Sequence, residues 1–194
     1  AIAQYIPNDP YYNGTYLDGY GFPISDMWGW NRIGMANAWD HARGSSALVA
    51  VIDSGIDYTH PDLAGNIWLN TDEIPDNGID DDGNGYIDDY RGWNFADQTV
   101  VEVEGENKYA SGVDPADVTG HGTYVAGIIA AEDNAIGVVG VAPEAKVMAL
   151  RVFQEDEDGW GASFDLVEQA IYYAVSNGAQ IINLSLGLAY AMPW

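Results

Sequence analysis

The stretch that decides the fold is ALVAVID, residues 47–53, followed by the turn residues Ser54 and Gly55. An unbroken apolar run that stops at an acid and a turn reads as a strand buried on both faces, the kind found in parallel sheets. AKVMALRVF (145–153) and AQIINLSLG (179–187) read the same way. Between these two lies SFDLVEQAIYYAVSNG (163–178). Ser163 is a suitable N-cap, and Asp165 falls in the first turn, where the helix dipole favours it. Val167, Ala170, Ile171, Ala174 and Val175 recur at helical spacing, and Gly178 stands at the C-terminal cap position. Strand, helix, strand in this order predicts an α/β fold: a three-layer αβα arrangement with a mostly parallel sheet. A shorter helix is expected over residues 35–42, ended by Gly44. Residues 66–118, rich in Asp, Asn and Gly, read as an elaborated loop region with no long element.

The composition narrows the function. The 194 residues suit one domain with a sizeable core. Thirty acidic against six basic residues give a net charge of −24, which makes nucleic acid and anionic membrane poor partners. No apolar run approaches the ~20 residues of a membrane span. There is no cysteine, so disulfides and thiol chemistry are excluded. The N-terminus has neither a basic start nor an apolar signal core, so any secretion signal is expected to have been removed.

Asp53 closes the first predicted strand, and in open parallel sheets functional groups gather beyond the C-terminal strand ends. The ordinary alternative is a turn former before Gly55. A phosphotransfer site would want a second aspartate two residues on, where Gly55 stands. The second candidate is His121, boxed between glycines in TGHGTYVAGIIAA (119–131) at the start of a helix-like run of small residues. A capping or core histidine is the ordinary alternative. Together, Asp53 and His121 would make half of an acid–base device: the carboxylate holds one tautomer, and the ring takes a proton from a nucleophile.

DDDGNGYIDD (80–89) is the strongest local signal. Asp80, Asp82 and Asn84 fall on alternate positions of an EF-hand-like loop, with the Tyr86 carbonyl next and Asp88 or Asp89 closing. Two features depart from that pattern: no helices are expected to flank the loop, and Arg91 stands where the closing glutamate belongs. Five aspartates in ten residues repel strongly without a cation, so calcium is expected there.

The chain resembles the subtilisin-like serine proteases, or subtilases. The resemblance is carried by VAVIDSGIDYTHPDL (49–63), GHGTYVAGIIAA (120–131), IGVVGVAPEAKVMALRVF (136–153) and AIYYAVSNGAQIINLSLG (170–187), in consistent order. It implies that Asp53 and His121 are the aspartate and histidine of a Ser-His-Asp triad. Tyr124 stands where many members have a second histidine, a position that is not the base. The family's serine segment and oxyanion-hole asparagine have no match before Trp194. The resemblance therefore implies the N-terminal portion of a single peptidase domain, with the nucleophilic serine on a separate C-terminal fragment as partner. A non-catalytic, calcium-stabilised peptide-binding fragment or pseudoprotease is the alternative; a phosphoester-cleaving enzyme using Asp53 and a metal is a distant third.

The resemblance also implies a substrate edge at Gly159, Trp160 and Gly161, which would pair with an extended peptide, and a specificity pocket lined by Ser185, Leu186 and Gly187. It implies a second calcium site built from Asp9, Asp62 and Asn134, with carbonyls of Glu132, Ile136 and Val138. Asn94, Asp97 and Thr99 resemble a third such site more weakly. Calcium, two or more ions, is the expected cofactor, peptides or proteins the expected substrates, and secretion the expected localisation.

Overall fold

The computed structural model describes residues 5–12, 15–17, 23–25, 27–103, 105–110, 112–156 and 159–187. A small ribbon of β1 (Thr15–Leu17) and β2 (Pro23–Ser25) leads into helices α1 (Trp28–Ile33) and α2 (Met35–Trp39). Strand β3 (Leu48–Asp53) follows, then β4 (Gly92–Asn94) and the hairpin β5 (Thr99–Val103) and β6 (Glu106–Ala110). Helix α3 (His121–Ala130) precedes β7 (Lys146–Arg151). The ribbon β8 (Gln154–Asp156) and β9 (Gly159–Gly161), helix α4 (Phe164–Ser176) and β10 (Ile181–Asn183) complete the order.

The central sheet runs β10-β3-β7-β4, with every pair parallel. Its two faces are sorted by the two-residue period of a strand. Val51, Val147 and Ala149 pack with Val125, Ala126 and Ala130 of α3. Ala50, Ile52, Met148 and Leu150 pack with Ala170, Tyr173 and Ala174 of α4. The helices thus cover opposite faces, giving the three layers. Asp53 continues the odd-numbered set of β3, so its side chain leaves the strand on the face that α3 covers. The alternation within ALVAVID therefore determines which helix the acid meets.

The three core strands and α4 lie where the sequence places them, with small differences. The ladder of β10 covers only residues 181–183 of the expected 179–187. Helix α2 stops at Trp39 rather than residue 42, and the preceding α1 was not anticipated. Ser163 caps α4 by accepting a bond from Leu166 N (3.4 Å). Within 66–118 the sequence reading overlooked β4 and the β5–β6 hairpin. Strand β4 is buried throughout: Trp93 is fully enclosed opposite Leu150, and Asn94 N donates to Gly112 O at 2.7 Å. Among the described residues, no helix is long and apolar enough to cross a membrane. Trp194, after which the separate C-terminal fragment is expected, lies outside the described residues.

Candidate active site

Asp53 and His121, sixty-eight positions apart, meet at the carboxyl end of the sheet. His121 Nδ1 lies 2.8 Å from Asp53 Oδ1. The carboxylate is wholly buried, whereas the imidazole side chain is 53% exposed. Asp53 Oδ1 also accepts from Ser54 N at 2.7 Å, which pins the acid's rotamer. A carboxylate facing Nδ1 makes that nitrogen the donor and leaves Nε2 as the proton acceptor on the open side of the ring. Asp53 Oδ2 is buried without a hydrogen-bond partner among the described residues.

Both boxing glycines have a steric reason. Gly120 has φ +87°, in the left-handed region that favours glycine, and it turns the chain into α3. A methyl group on Gly122 would collide with the Gly55 carbonyl oxygen and stand 3.2 Å from Asp53 Cβ. The helix start therefore lies directly against the end of β3, which is what brings the ring to the acid.

A residue that the sequence reading missed organises this junction. Asp117 accepts from Thr119 N (3.0 Å), Gly120 N (2.9 Å), Thr123 N (2.8 Å) and the hydroxyls of Ser54 and Thr123. Ser54 Oγ in turn accepts from Gly122 N at 2.9 Å. Burial opposes ionisation of Asp117, but bonds from Thr123, Thr119 and Ser54 outweigh it and hold the carboxyl below its usual range. An acid four residues before the boxed histidine, at a helix start, was the available signal.

The expected substrate edge is an edge here too. Strand β9 pairs antiparallel with β8 on one side and has no ladder on the other among the described residues. Trp160 is partly exposed on it. Ser185 and Gly187 are exposed after β10, Ser185 Oγ donates to Asn183 Oδ1 at 2.9 Å, and Leu186 packs against the core beneath α4.

Comparison with known proteins fits this geometry. The model of the subtilase family matches residues 44–190. The chain belongs to the subtilase family. Over 187 residues it is 38% identical to a thermophilic serine proteinase of Bacillus sp. (strain AK1), covering 95% of this chain and 34% of that one. Over 185 residues it is 34% identical to thermitase of Thermoactinomyces vulgaris, covering 94% and 48%. The crystal structure of fervidolysin from Fervidobacterium pennivorans, a keratinolytic enzyme related to subtilisin, superposes with a TM-score of 0.57 at 29% identity, covering 94% of this chain and 24% of that one. The chain thus spans between a quarter and a half of the length of these relatives.

Subtilases in general bind calcium, and two places in this subtilase have the donor chemistry for it. At the first, the N-terminal arm, the turn after β3 and the loop after α3 converge. Asn134 N points at Asp9 Oδ1 (3.5 Å), Val138 N donates to Asp62 Oδ2 (3.0 Å), Glu132 N to Asp62 O (2.8 Å) and Ile136 N to Asn134 Oδ1 (2.9 Å). Asp9 Oδ2 and Asp62 Oδ1 are buried there without a hydrogen-bond partner among the described residues, as oxygens that face a cation would be. Burial, then the neighbouring Asp133, pushes Asp9 up to about 7; burial also raises Asp62.

At the second place, the carboxylates brought together include Asp82 and Asp89 of the expected set and add Glu73. Asp80 is engaged by Lys108 and accepts from Asn84 N (3.0 Å) and Gly85 N (3.1 Å). The carboxylates that approach within 4.8 Å of one another are Glu73, Asp82 and Asp89. Glu73 was missed because it lies outside the aspartate run. Asn84 Nδ2 reaches both Asp82 and Asp89, and Tyr86 stacks on Tyr109 with ring centroids 4.9 Å apart. At the third, weaker place, Arg151 faces Asp97 at 3.4 Å, and Asn94 Nδ2 donates to Asp97 at 2.8 Å. The positions of Arg151 and Lys108 put a protein cation beside two of the expected metal ligands.

Proposed function

We propose that this chain is the aspartate- and histidine-bearing part of a subtilisin-type serine endopeptidase, completed by a serine from polypeptide outside these 194 residues. The observation that carries the reading is the 2.8 Å contact between the buried Asp53 carboxylate and Nδ1 of the half-exposed His121 ring. Asp53 holds the ring in one tautomer and stabilises its protonated form. His121 Nε2 takes the proton from the serine hydroxyl as the oxygen–carbon bond to the peptide carbonyl forms. The same nitrogen returns the proton to the leaving amine as the carbon–nitrogen bond breaks. Water then repeats the exchange on the acyl-enzyme. The free edge at Gly159, Trp160 and Gly161 aligns an extended peptide by main-chain bonds, and Ser185, Leu186 and Gly187 border a side-chain pocket.

Calcium belongs to this reading as a structural cofactor of two or more ions. Asp9, Asp62 and Asn134, with carbonyls of Glu132, Ile136 and Val138, would tie the N-terminal arm to the core. Bound calcium supplies positive charge that offsets buried carboxylates and stabilises the native state by mass action. Oxygen-only calcium sites suit a secreted protein.

A serine-directed fluorophosphonate tests the reading, applied to the chain with its complementary polypeptide. Label is expected on that polypeptide, with His121→Ala slowing labelling by roughly 10³-fold or more. If the folded assembly takes no label, the non-catalytic peptide-binding alternative replaces the peptidase. Labelling indifferent to His121→Ala removes the assigned base.

A further inference from the structure

We infer that Glu155 and Trp160 form a subsite for a basic side chain, so that the substrate edge takes peptides carrying arginine or lysine at the residue beside Trp160. The inference rests on the peptide-edge part of the proposed function and does not depend on the serine. In the ribbon, Glu155 of β8 stands directly opposite Trp160 of β9. Residues opposite each other in an antiparallel pair point their side chains to the same face, with Cβ atoms about 5 Å apart. Both are exposed, Trp160 at 45%. Gly159 and Gly161 leave Trp160 as the one side chain of β9, and a methyl group added to either would meet nothing within 4 Å beyond its chain neighbours. An incoming strand therefore finds the indole unobstructed.

A peptide paired with the free side of β9 lies about 4.8 Å from it and presents every second side chain on the face that carries Trp160 and Glu155. The order across that face is then peptide side chain, indole, carboxylate. A lysine or arginine lying across the ring brings its charge over the indole, the strongest aromatic partner for a cation, and aims it at Glu155. A guanidinium gains most, because its plane stacks on the ring while its donors reach the carboxylate. An apolar side chain uses only the ring, and an acidic one meets repulsion from Glu155.

The surrounding charge favours the same substrates. The chain reads Glu155-Asp156-Glu157-Asp158 between Gln154 and Gly159, and it carries thirty acidic against six basic residues. Among the described residues, no lysine or arginine forms an ion pair with Glu155, and Arg151, the basic residue nearest to it in sequence, faces Asp97 at 3.4 Å. What separates Glu155 from the other acids of this run is its place opposite the tryptophan of the free edge. The rest of the run supplies a negative field that draws basic peptides and weakens with salt.

Internally quenched peptides, alike except for one guest residue moved through the segment before the scissile bond, test the subsite on the chain with its complementary polypeptide. At one guest position Arg should exceed Gln in kcat/KM by roughly three- to tenfold, with Lys between them, Glu last, and the gain carried by KM. Glu155→Gln should bring the Arg-to-Gln ratio close to one and relieve the penalty on Glu, and Trp160→Ala should lower the ratio as well. Glu102→Gln, the same charge change on the exposed strand β5, should keep the parent's ratio. Raised salt should compress the preference. Equal rates for Arg, Gln and Glu at every guest position, a preference for Leu over Arg at every one, or a ratio that Glu155→Gln leaves unaltered would overturn the subsite and leave the peptidase reading intact. If no peptide is cleaved, the peptidase reading fails by itself, and the same peptides titrated into the isotopically labelled chain decide. Arg peptides should then shift the Trp160 indole signal at lower concentration than Gln peptides, and equal titration curves would overturn the inference.

Discussion

Ser54 Oγ lies 2.7 Å from Asp117 Oδ1, so the residue after the buried acid is tied to the residue that organises the histidine helix. Asp117 gathers the N–H groups of Thr119 and Gly120 just before α3 and of Thr123 in its first turn, and Ser54 Oγ accepts from Gly122 N. Replacing Asp117 with Ala removes this cap and strands several donors. The expected loss is about 2 kcal/mol of unfolding free energy, read by chemical denaturation. Asp117→Asn should recover part of it, since the amide oxygen still accepts.

Gly122→Ala tests the close packing of α3 on β3. The added methyl meets the Gly55 carbonyl, which is backbone and cannot rotate away. Overpacking of this kind costs about 1–3 kcal/mol. The helix start must also lift, so the His121–Asp53 contact should lengthen. Gly127→Ala, where nothing stands within 4 Å, is the matched control and should be close to neutral or slightly stabilising.

Stability should depend on pH in opposite ways with and without calcium. Burial raises Asp9 to about 7 from an ordinary 3.8 and also raises Asp62, Glu73 and Asp89. An acid with a raised folded-state pKa favours the native state below its unfolded value and loses that contribution as pH climbs through the folded value. In chelator, the melting temperature should therefore fall between about pH 4 and about pH 7, the window set by Asp9. Calcium binds the ionised carboxylates, so saturating calcium should remove or reverse that fall. Parallel melts across this range, with and without chelator, provide the check; identical curves would exclude calcium at these acids.

Trp93→Ala should cost about 3–5 kcal/mol, the range for emptying a large aromatic site in a core. Trp93 is fully enclosed in β4, and its indole Nε1 donates to Gln98 Oε1 at 3.0 Å. A loss near zero would show that β4 is not integral to the sheet.

That strand also shows where sequence reading fails. β3, β7 and α4 were legible because each carries its own signal: an apolar run ended by Asp53, another ended near Arg151, and a capped 3.6-residue stripe after Ser163. β4 has only Gly92, Trp93 and Asn94, too few residues to show a period, and its partner Leu150 is remote in the chain. The hairpin left a trace in the β-branched Thr99, Val100 and Val101 before the turn at Gly105, outweighed by the polar surroundings. The acid–base pair could be named because Asp53 ends a strand and His121 opens a helix. Glu73 could not be named, since what distinguishes it is a buried oxygen without a hydrogen-bond partner among the described residues, a property of packing. The position of Asp80 in the loop was visible in the sequence, and its contact with Lys108 was not.

The central claim is that Asp53 fixes the tautomer of His121, and ring-nitrogen NMR on the isotopically labelled chain at mildly alkaline pH tests it without any serine. The account predicts a His121 ring carrying its proton on Nδ1 with a bare Nε2, and loss of that preference in Asp53→Ala. A proton resident on Nε2, or a spectrum that Asp53→Ala leaves unaltered, would contradict it.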